Sequence, residues 1–370
     1  MSLLYFLIAV LVIAVLIAIH ELGHFTAGRL LGFKILDYSI GFGPAIFKFK
    51  KKDITYALRA IPLGGSCRFY GETEQEEGET VEPGAIPFNE QKPWKRLIVI
   101  FAGPFMNFLL AYALAVLMLV CCGEQRTRDY SNGDLAVAVI EVSEGSAAER
   151  AGVQPGDIIM SVNGKDLSNE QLTFEERTNK ISKEIQDYKE GDLILTVERD
   201  GALIDLAANG LYNEKEGKNL LGISMGYMTR FERLHFFPAL KRGASFLVDI
   251  VKTTFEALAN GFRKGFNEGE LTGIVGTFVI TMKMAERGLY YVLLIAVLLS
   301  MSLGIMNLLP ILPLDGGHLL FDFIELVFRK PVPRKIQNAL SAVGFILLIG
   351  LMIYVTIGDI RGIAHGIFDF

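Results

Sequence analysis

Cysteine is scarce in this chain, and charge is concentrated nowhere along it. The 370 residues include three cysteines: Cys121 and Cys122 are adjacent, and Cys67 stands alone. This spacing fits neither a disulfide framework nor a cysteine-based zinc knuckle. The formal net charge of -5 is spread along the chain. The sequence therefore gives no indication of nucleic-acid binding, which a basic patch would provide.

Charged side chains are also missing from long stretches. Residues 3–31 contain only Glu21 and Arg29, and as a helix this segment is long enough to span a bilayer. It lacks a basic leader and exceeds the apolar core of a signal peptide, so we expect it to be retained. Similar apolar stretches occupy residues 97–122, 288–310 and 339–358. The mean hydropathy of +0.38 fits these four spans combined with a water-soluble domain of about 100 residues.

The basic residues are unevenly placed between the spans. The loop between the first and second spans and the loop between the third and fourth are rich in lysine and arginine. The positive-inside rule puts both loops in the cytoplasm. Both termini and the long segment 123–287 are then expected on the opposite side.

The first apolar segment contains an H-E-x-x-H pattern formed by His20, Glu21 and His24. Residues four apart share a helix face, so both histidines can point at one metal ion, with Glu21 placed to accept a proton from water. Ionisable groups at membrane depth are costly and usually mark function. The pattern predicts a zinc site with Glu21 as the catalytic base. The structural alternative is a pair of histidines that are hydrogen-bonded to neighbouring helices.

A catalytic zinc usually has three protein ligands, so one more is expected. The outstanding candidate is Asp315, in the run 307–317 at the cytoplasmic end of the third span. Two prolines end the helix there, and the glycine pair after Asp315 allows a sharp turn. Two alternatives stay open: Asp315 could serve only as a helix N-cap, and His318 is a rival ligand.

The segments outside the spans predict two further kinds of structure. Residues 37–69 are rich in β-forming side chains around a polar turn, which predicts a hairpin or small sheet at the membrane interface. Residues 127–212 alternate strand, turn and helix patterns, as expected for a separate α+β domain. Residues 213–287 carry apolar side chains at helical spacing among basic ones, which is typical of interfacial amphipathic helices.

Part of the α+β segment resembles a PDZ domain. The resemblance rests on Gly145–Gly152, on Gly156–Ile159 and on Val162–Gly164. It implies a fold that binds extended peptides at a sheet edge. The carboxylate-binding loop of signalling PDZ domains is not evident, so capture of ordinary peptide C-termini is not expected from it.

Taken together, the motifs resemble the site-2 protease family. They are H-E-x-x-H in the first span, the N-x-x-P-x-x-P-L-D-G run from Asn307 to Gly316, the PDZ-like insert, and the run 101–107 in the second span. Bacterial members of the regulator-of-sigma-E type, with four spans and extracytoplasmic PDZ modules, are the most similar. This chain shows one recognisable PDZ unit where the enterobacterial type has two.

The expected fold is a polytopic α-helical membrane protein with four transmembrane helices, a membrane-associated β-hairpin and an inserted α+β PDZ-like domain. Its regions are 1–126 with the first two spans, 127–212 with the PDZ-like domain, 213–287 with interfacial helices, and 288–370 with the last two spans. The resemblance implies a multi-pass protein of the bacterial inner membrane. Its PDZ-like domain would be extracytoplasmic and its active site near the cytoplasm.

The expected function is that of an intramembrane zinc metalloprotease. Zn²⁺ would be held by His20, His24 and Asp315, and Glu21 would be the base. The substrates would be single-span membrane proteins such as anti-sigma factors or remnant signal peptides. Asn307 and Asn107 would hold the unwound substrate backbone, or would instead link helices.

Two other classes of function stay open. One is a metal-dependent membrane hydrolase that acts on lipid or a prenylated peptide, although such an enzyme would need no exterior PDZ-like module. The other is a PDZ-bearing scaffold without catalysis, for which Glu21 would be unnecessary.

Overall fold

The N-terminal part combines two apolar helices with a long β-hairpin. The structure is a computed structural model that describes residues 3–72, 84–127, 129–130, 133–168, 172–189, 191–213, 218–265 and 272–364. The first helix, α1, spans Leu3–Leu30 and ends where Gly32 adopts a left-handed φ of 80°. Strands β1 (Ile35–Lys51) and β2 (Ile54–Phe69) then form an antiparallel pair. Helix α2, Pro93–Cys121, begins with proline, whose missing N–H is not needed in a first turn.

The hairpin predicted between residues 37 and 69 is present, and its turn has a simple cause. Lys52 and Asp53 both have positive φ, at 49° and 62°. Two such residues make the tight turn whose twist matches that of the flanking strands. Residues 37–40 of β1 pair with two parts of β2, residues 65–68 on one side and residues 55–58 on the other, so this part of β1 has no free edge.

A compact unit from Gly123 to Arg233 interrupts the helical part. Its elements are β3 (Glu124–Thr127), β4 (Ala138–Val142), α3 (Ala147–Arg150), β5 (Ile158–Val162), β6 (Lys165–Asp166), α4 (Phe174–Gln186), β7 (Leu193–Arg199), β8 (Ala202–Ala208), β9 (Tyr212–Asn213), β10 (Lys218–Asn219), β11 (Ile223–Gly226) and β12 (Thr229–Glu232). The main sheet has the strand order β11-β4-β5-β7-β8, and β6 is paired to β5. A buried aliphatic core between this sheet and helix α4 stabilises the unit.

This unit extends beyond residue 212, where the sequence places its end. Strand β11 pairs with β4, and β12 pairs with β3 near the start of the unit. Each of these late strands has four residues. Such a short run has too little alternation to be recognised without knowledge of its partner strand.

The chain then returns to helices. They are α5 (Phe236–Lys264), α6 (Ile274–Glu286), α7 (Leu289–Asn307), α8 (Asp315–Phe328) and α9 (Arg334–Ala364). Helix α5 is amphipathic, as predicted, and Phe246 and Ile250 on its apolar face pack with residues of α2 and α7. Four helices in the described part of the chain are long and apolar enough to cross a membrane, namely α1, α2, α7 and α9. They correspond to the four predicted spans.

Candidate metal centre

Three side chains from two distant parts of the sequence meet at one point. His20 and His24 lie one turn apart on α1, and their Nε2 atoms are 3.2 Å apart. Asp315, the first residue of α8, places Oδ2 at 3.2 Å from the Nε2 of His20 and at 3.5 Å from that of His24. The three predicted ligands therefore form a nearly equilateral triangle of donor atoms.

The size of this triangle fits a zinc ion. Ligand atoms at about 2.0–2.1 Å from a tetrahedral zinc are separated from one another by roughly 3.3 Å. The Oδ2 atom of Asp315 is buried and has no hydrogen-bond partner. An unpaired buried carboxylate oxygen is costly, and a cation at this point would satisfy it. Within the described residues, these three side chains are the group of histidine and acidic residues with metal-binding geometry.

Helix α2 orients His24. The Nδ1 atom of His24 lies 2.9 Å from the backbone carbonyl of Val99. A carbonyl can only accept, so Nδ1 carries the proton and the lone pair of Nε2 is free for a metal. Gly103 makes room for the imidazole, because a Cβ atom at this position would collide with the ring.

The same helix orients His20 through Asn107. The side-chain amide of Asn107 is fully buried, with its nitrogen 3.0 Å from the Nδ1 of His20 and its oxygen unpaired. The two ends of a carboxamide have nearly the same shape. With the amide rotated by a half-turn, the oxygen accepts the Nδ1 proton, so that no oxygen is left unpaired and the Nε2 lone pair faces the metal position.

Glu21 occupies the gap between α1 and the hairpin. It is half-buried, and its carboxylate accepts a hydrogen bond from the backbone N–H of Cys67 in β2. Gly65 lets the strand approach, since a Cβ there would lie 2.7 Å from the Cγ of Glu21. The carboxylate is close enough to interact electrostatically with all three predicted ligands.

The remaining predicted residues fall into different positions. Asn307, at the end of α7, is half-buried, and its amide nitrogen is 3.5 Å from the Nε2 of His20. Its side chain therefore lies beside the donor triangle, near the Nε2 atom of His20, whereas Asn107 contacts the Nδ1 atom of the same ring. His318 is exposed and lies outside the triangle. The cap of α8 is Leu314, so Asp315 is not the N-cap residue.

Sequence reasoning overlooked how much of the site α2 provides. The contributions of Val99 and Gly103 are a backbone carbonyl and the absence of a side chain, and neither is visible as a chemical motif. The available indication for Gly103 was the run 101–107, noted above for its resemblance to a family motif, which contains the small pair Ala102-Gly103. Small residues there permit close helix packing, and Gly23 of α1 indeed abuts the Ala102 carbonyl.

Comparison with known proteins agrees with this geometry. A sequence model of peptidase family M50 matches residues 8–351. A Fusobacterium nucleatum protein, provisionally named a zinc metalloprotease, is 33% identical over 359 residues, covering 96% of this chain and 98% of its own. Relatives with the same provisional name from Campylobacter jejuni and Clostridium acetobutylicum are each 31% identical, and each alignment covers 97% of this chain.

Proposed function

Since this chain belongs to peptidase family M50, the site-2 protease family of zinc metalloproteases, we propose that it cleaves peptide bonds within single-span transmembrane segments. The observation that carries the proposal is the position of the donor triangle. Two of its three members lie on α1, a helix apolar enough to cross a membrane. A hydrolytic centre at that depth has membrane-embedded peptide as its accessible substrate.

His20, His24 and Asp315 would hold the zinc ion. When bound, zinc polarises a carbonyl group and lowers the pKa of water at its open position. The hydrogen bonds from His24 to Val99 and from His20 to Asn107 keep both Nε2 lone pairs directed at the ion.

Glu21 would transfer the protons. It lies next to His20 on α1, accepts a hydrogen bond from the Cys67 N–H, and is close enough to the donor triangle to interact with it electrostatically. From this position it can accept a proton from the attacking water and deliver that proton to the departing amine. Its fixed position suits a group that must act twice in one reaction cycle.

The hairpin and Asn307 would hold the substrate. A helix hides its peptide bonds in internal hydrogen bonds, so cleavage requires an extended segment. Strand β2 passes Glu21 at Gly65, and a substrate strand added to the hairpin edge would run past the base. Asn307 lies beside the donor triangle and could bind the freed backbone groups, while the buried Asn107 serves His20.

The unit 123–233 would act as the PDZ-like module, outside the cytoplasm, as a size filter or docking surface. Its strand β11 is at a sheet edge, and a cavity of about 300 Å³ lies between residues of β11 and α4. This arrangement suits an extended peptide that pairs with β11. In this scheme the protein lies in a bacterial inner membrane and makes the second cut in regulated intramembrane proteolysis.

The proposal is tested by cleavage of a tagged single-span membrane protein in liposomes. We expect the wild type to cut within the span and Glu21→Gln to lose a factor of about 10²–10⁴ in rate while keeping its zinc. A chelator should stop the wild type. Glu175→Gln, at an exposed position on α4, is the matched control and should cleave normally. A wild type that retains zinc but cuts no membrane span contradicts the proposal.

A further inference from the structure

A second buried charged cluster lies in the helical part of the protein, away from the donor triangle. Arg96, near the start of α2, is 4% exposed. One of its terminal nitrogens, Nη2, lies 2.8 Å from Asp322 and 2.6 Å from Glu325, both on α8. The other, Nη1, donates to the carbonyl of Asn89 at 2.7 Å. Arg96 therefore links α2 to α8 through Nη2 and to the segment before α2 through Nη1.

The partners of Arg96 lie on the helix that carries Asp315. Asp315 and Asp322 are seven residues apart, which is almost two full turns, so they share one face of α8. They are separated by about 10 Å along the axis. The face that presents a carboxylate to the two histidines thus presents a second carboxylate to Arg96.

Arg96 also shares a face of its own helix with residues of the site. Arg96, Val99, Gly103 and Asn107 follow one another on α2 at intervals of three or four, the spacing of a single helix face. Val99 and Gly103 contact His24, and Asn107 contacts His20. One face of α2 therefore contacts both histidines of α1 and, through Arg96, the helix that supplies the third donor.

The segment before α8 contacts the first turn of that helix, and Arg96 contacts the helix about two turns further on. Residues 308–314 join α7 to α8 without regular structure and include two prolines. A Cβ at Gly316 would collide with the Leu309 carbonyl, whereas Arg96 pairs with Asp322 and Glu325. Metal sites require ligand distances to be held within about 0.2 Å, and the rigid planar fork of an arginine is suited to hold one helix against another.

We propose that Arg96 is a positioning residue that sets the register of α8 against α2 and thereby holds Asp315 at the metal. The inference rests on the proposed function only in that Asp315 is taken as a zinc ligand. It assigns Arg96 no contact with substrate or metal.

The test measures metal binding by the purified full-length protein in detergent. Zinc affinity is read by competition with a chromophoric chelator, and the ligand field by the visible spectrum of the cobalt(II)-substituted protein. We expect Arg96→Gln to weaken zinc binding by about tenfold or more and to shift the cobalt spectrum toward that of Asp315→Asn. Arg96→Lys, which keeps the charge but loses the fork, should recover part of both readouts.

Two further variants separate positioning from general stability. Glu325→Gln removes one charged partner and should fold even if Arg96→Gln does not; we expect a smaller loss of zinc affinity in the same direction. Arg177→Gln removes a buried arginine from the other compact unit and should leave both metal readouts unchanged. Unchanged affinity and spectrum in Arg96→Lys and Glu325→Gln, with only a lower melting temperature, would overturn the inference. If Asp315→Asn itself binds zinc normally, the proposed metal site fails, which is a distinct result.

Discussion

The two compact units of this protein each bury an arginine, and the two arginines have different surroundings. Arg177 is fully buried beside Tyr130, its Cζ 4.6 Å from the ring centroid, and it pairs with Asp134 at 2.8 Å. It also donates to the carbonyl groups of Leu167 and Leu172. Arg96 instead has two carboxylate partners, which come from a helix more than 200 residues later in the sequence.

The difference indicates what each cluster does. The described contacts of Arg177, a carboxylate and nearby carbonyl groups within the same unit, complete a core. A cation shared by two carboxylates leaves excess negative charge, which is a poor arrangement for stability alone. Within the described residues, and with the Asn107 amide turned so that its oxygen faces His20, the buried side-chain oxygens without hydrogen-bond partners belong to Asp315 and Asp322. Both lie in the unit that holds the donor triangle.

The largest expected effect comes from replacing Arg177, the buried arginine of the unit 123–233. Arg177→Gln removes the cation that pairs with Asp134 and the charged donor to two carbonyl groups. We expect the unit 123–233 to lose about 3–5 kcal/mol of stability, because Arg177 is fully buried and each hydrogen bond that glutamine cannot replace costs roughly 1–3 kcal/mol. Hydrogen exchange of the full-length protein would show the loss as faster exchange in β5 and β7. If Arg177→Gln instead keeps slow exchange in β5 and β7 but binds zinc more weakly, the roles that we assign to Arg177 and Arg96 are contradicted.

The cluster of Arg96, Asp322 and Glu325 predicts that the free energy of unfolding depends on pH. Burial raises the pKa of the Asp322 carboxyl from an ordinary 3.8 to about 6, an effect that Arg96 opposes and Glu325 reinforces. The folded state then holds a proton that the unfolded state releases between about pH 4 and 6. The contribution of the protonated Asp322 to the free energy of unfolding is therefore complete below pH 4. It is lost as pH rises through 6, a change of at most about 3 kcal/mol.

Asp322→Asn should remove this slope, because asparagine keeps an oxygen acceptor for Arg96 but cannot ionise. The melting temperatures of both proteins would be measured from pH 4 to 8. The melting temperature of the variant minus that of the wild type should rise between pH 4 and 6 and then level off. A difference that stays constant over the whole range would show that Asp322 does not titrate in this window.

The sequence was sufficient for those features that reside in side-chain chemistry or long periodicity. The spacing of His20 and His24 on an apolar helix predicted that they would share a face, and the prolines and glycines around Asp315 predicted a turn there. Arg96, by contrast, looked like any basic residue of a cytoplasmic loop. Its partners Asp322 and Glu325 lie more than 200 residues later in the sequence. Their pairing depends on how α2 and α8 pack, which local patterns do not encode.

The packing of α2 against α1 also determines the role of Gly103, whose substitution gives the smallest of the three effects predicted in this comparison. Gly103→Ala introduces a methyl group that collides with the ring of His24, so the imidazole must turn away from Val99. We expect zinc affinity to fall by about 10–100-fold, as when a supporting partner of a metal ligand is lost. Gly350→Ala, on α9, is the matched control because its methyl group would meet no atom within 4 Å. Equal zinc affinity in the two variants would mean that α2 merely neighbours the metal centre, and the contrast between the two arginines would lose its link to function.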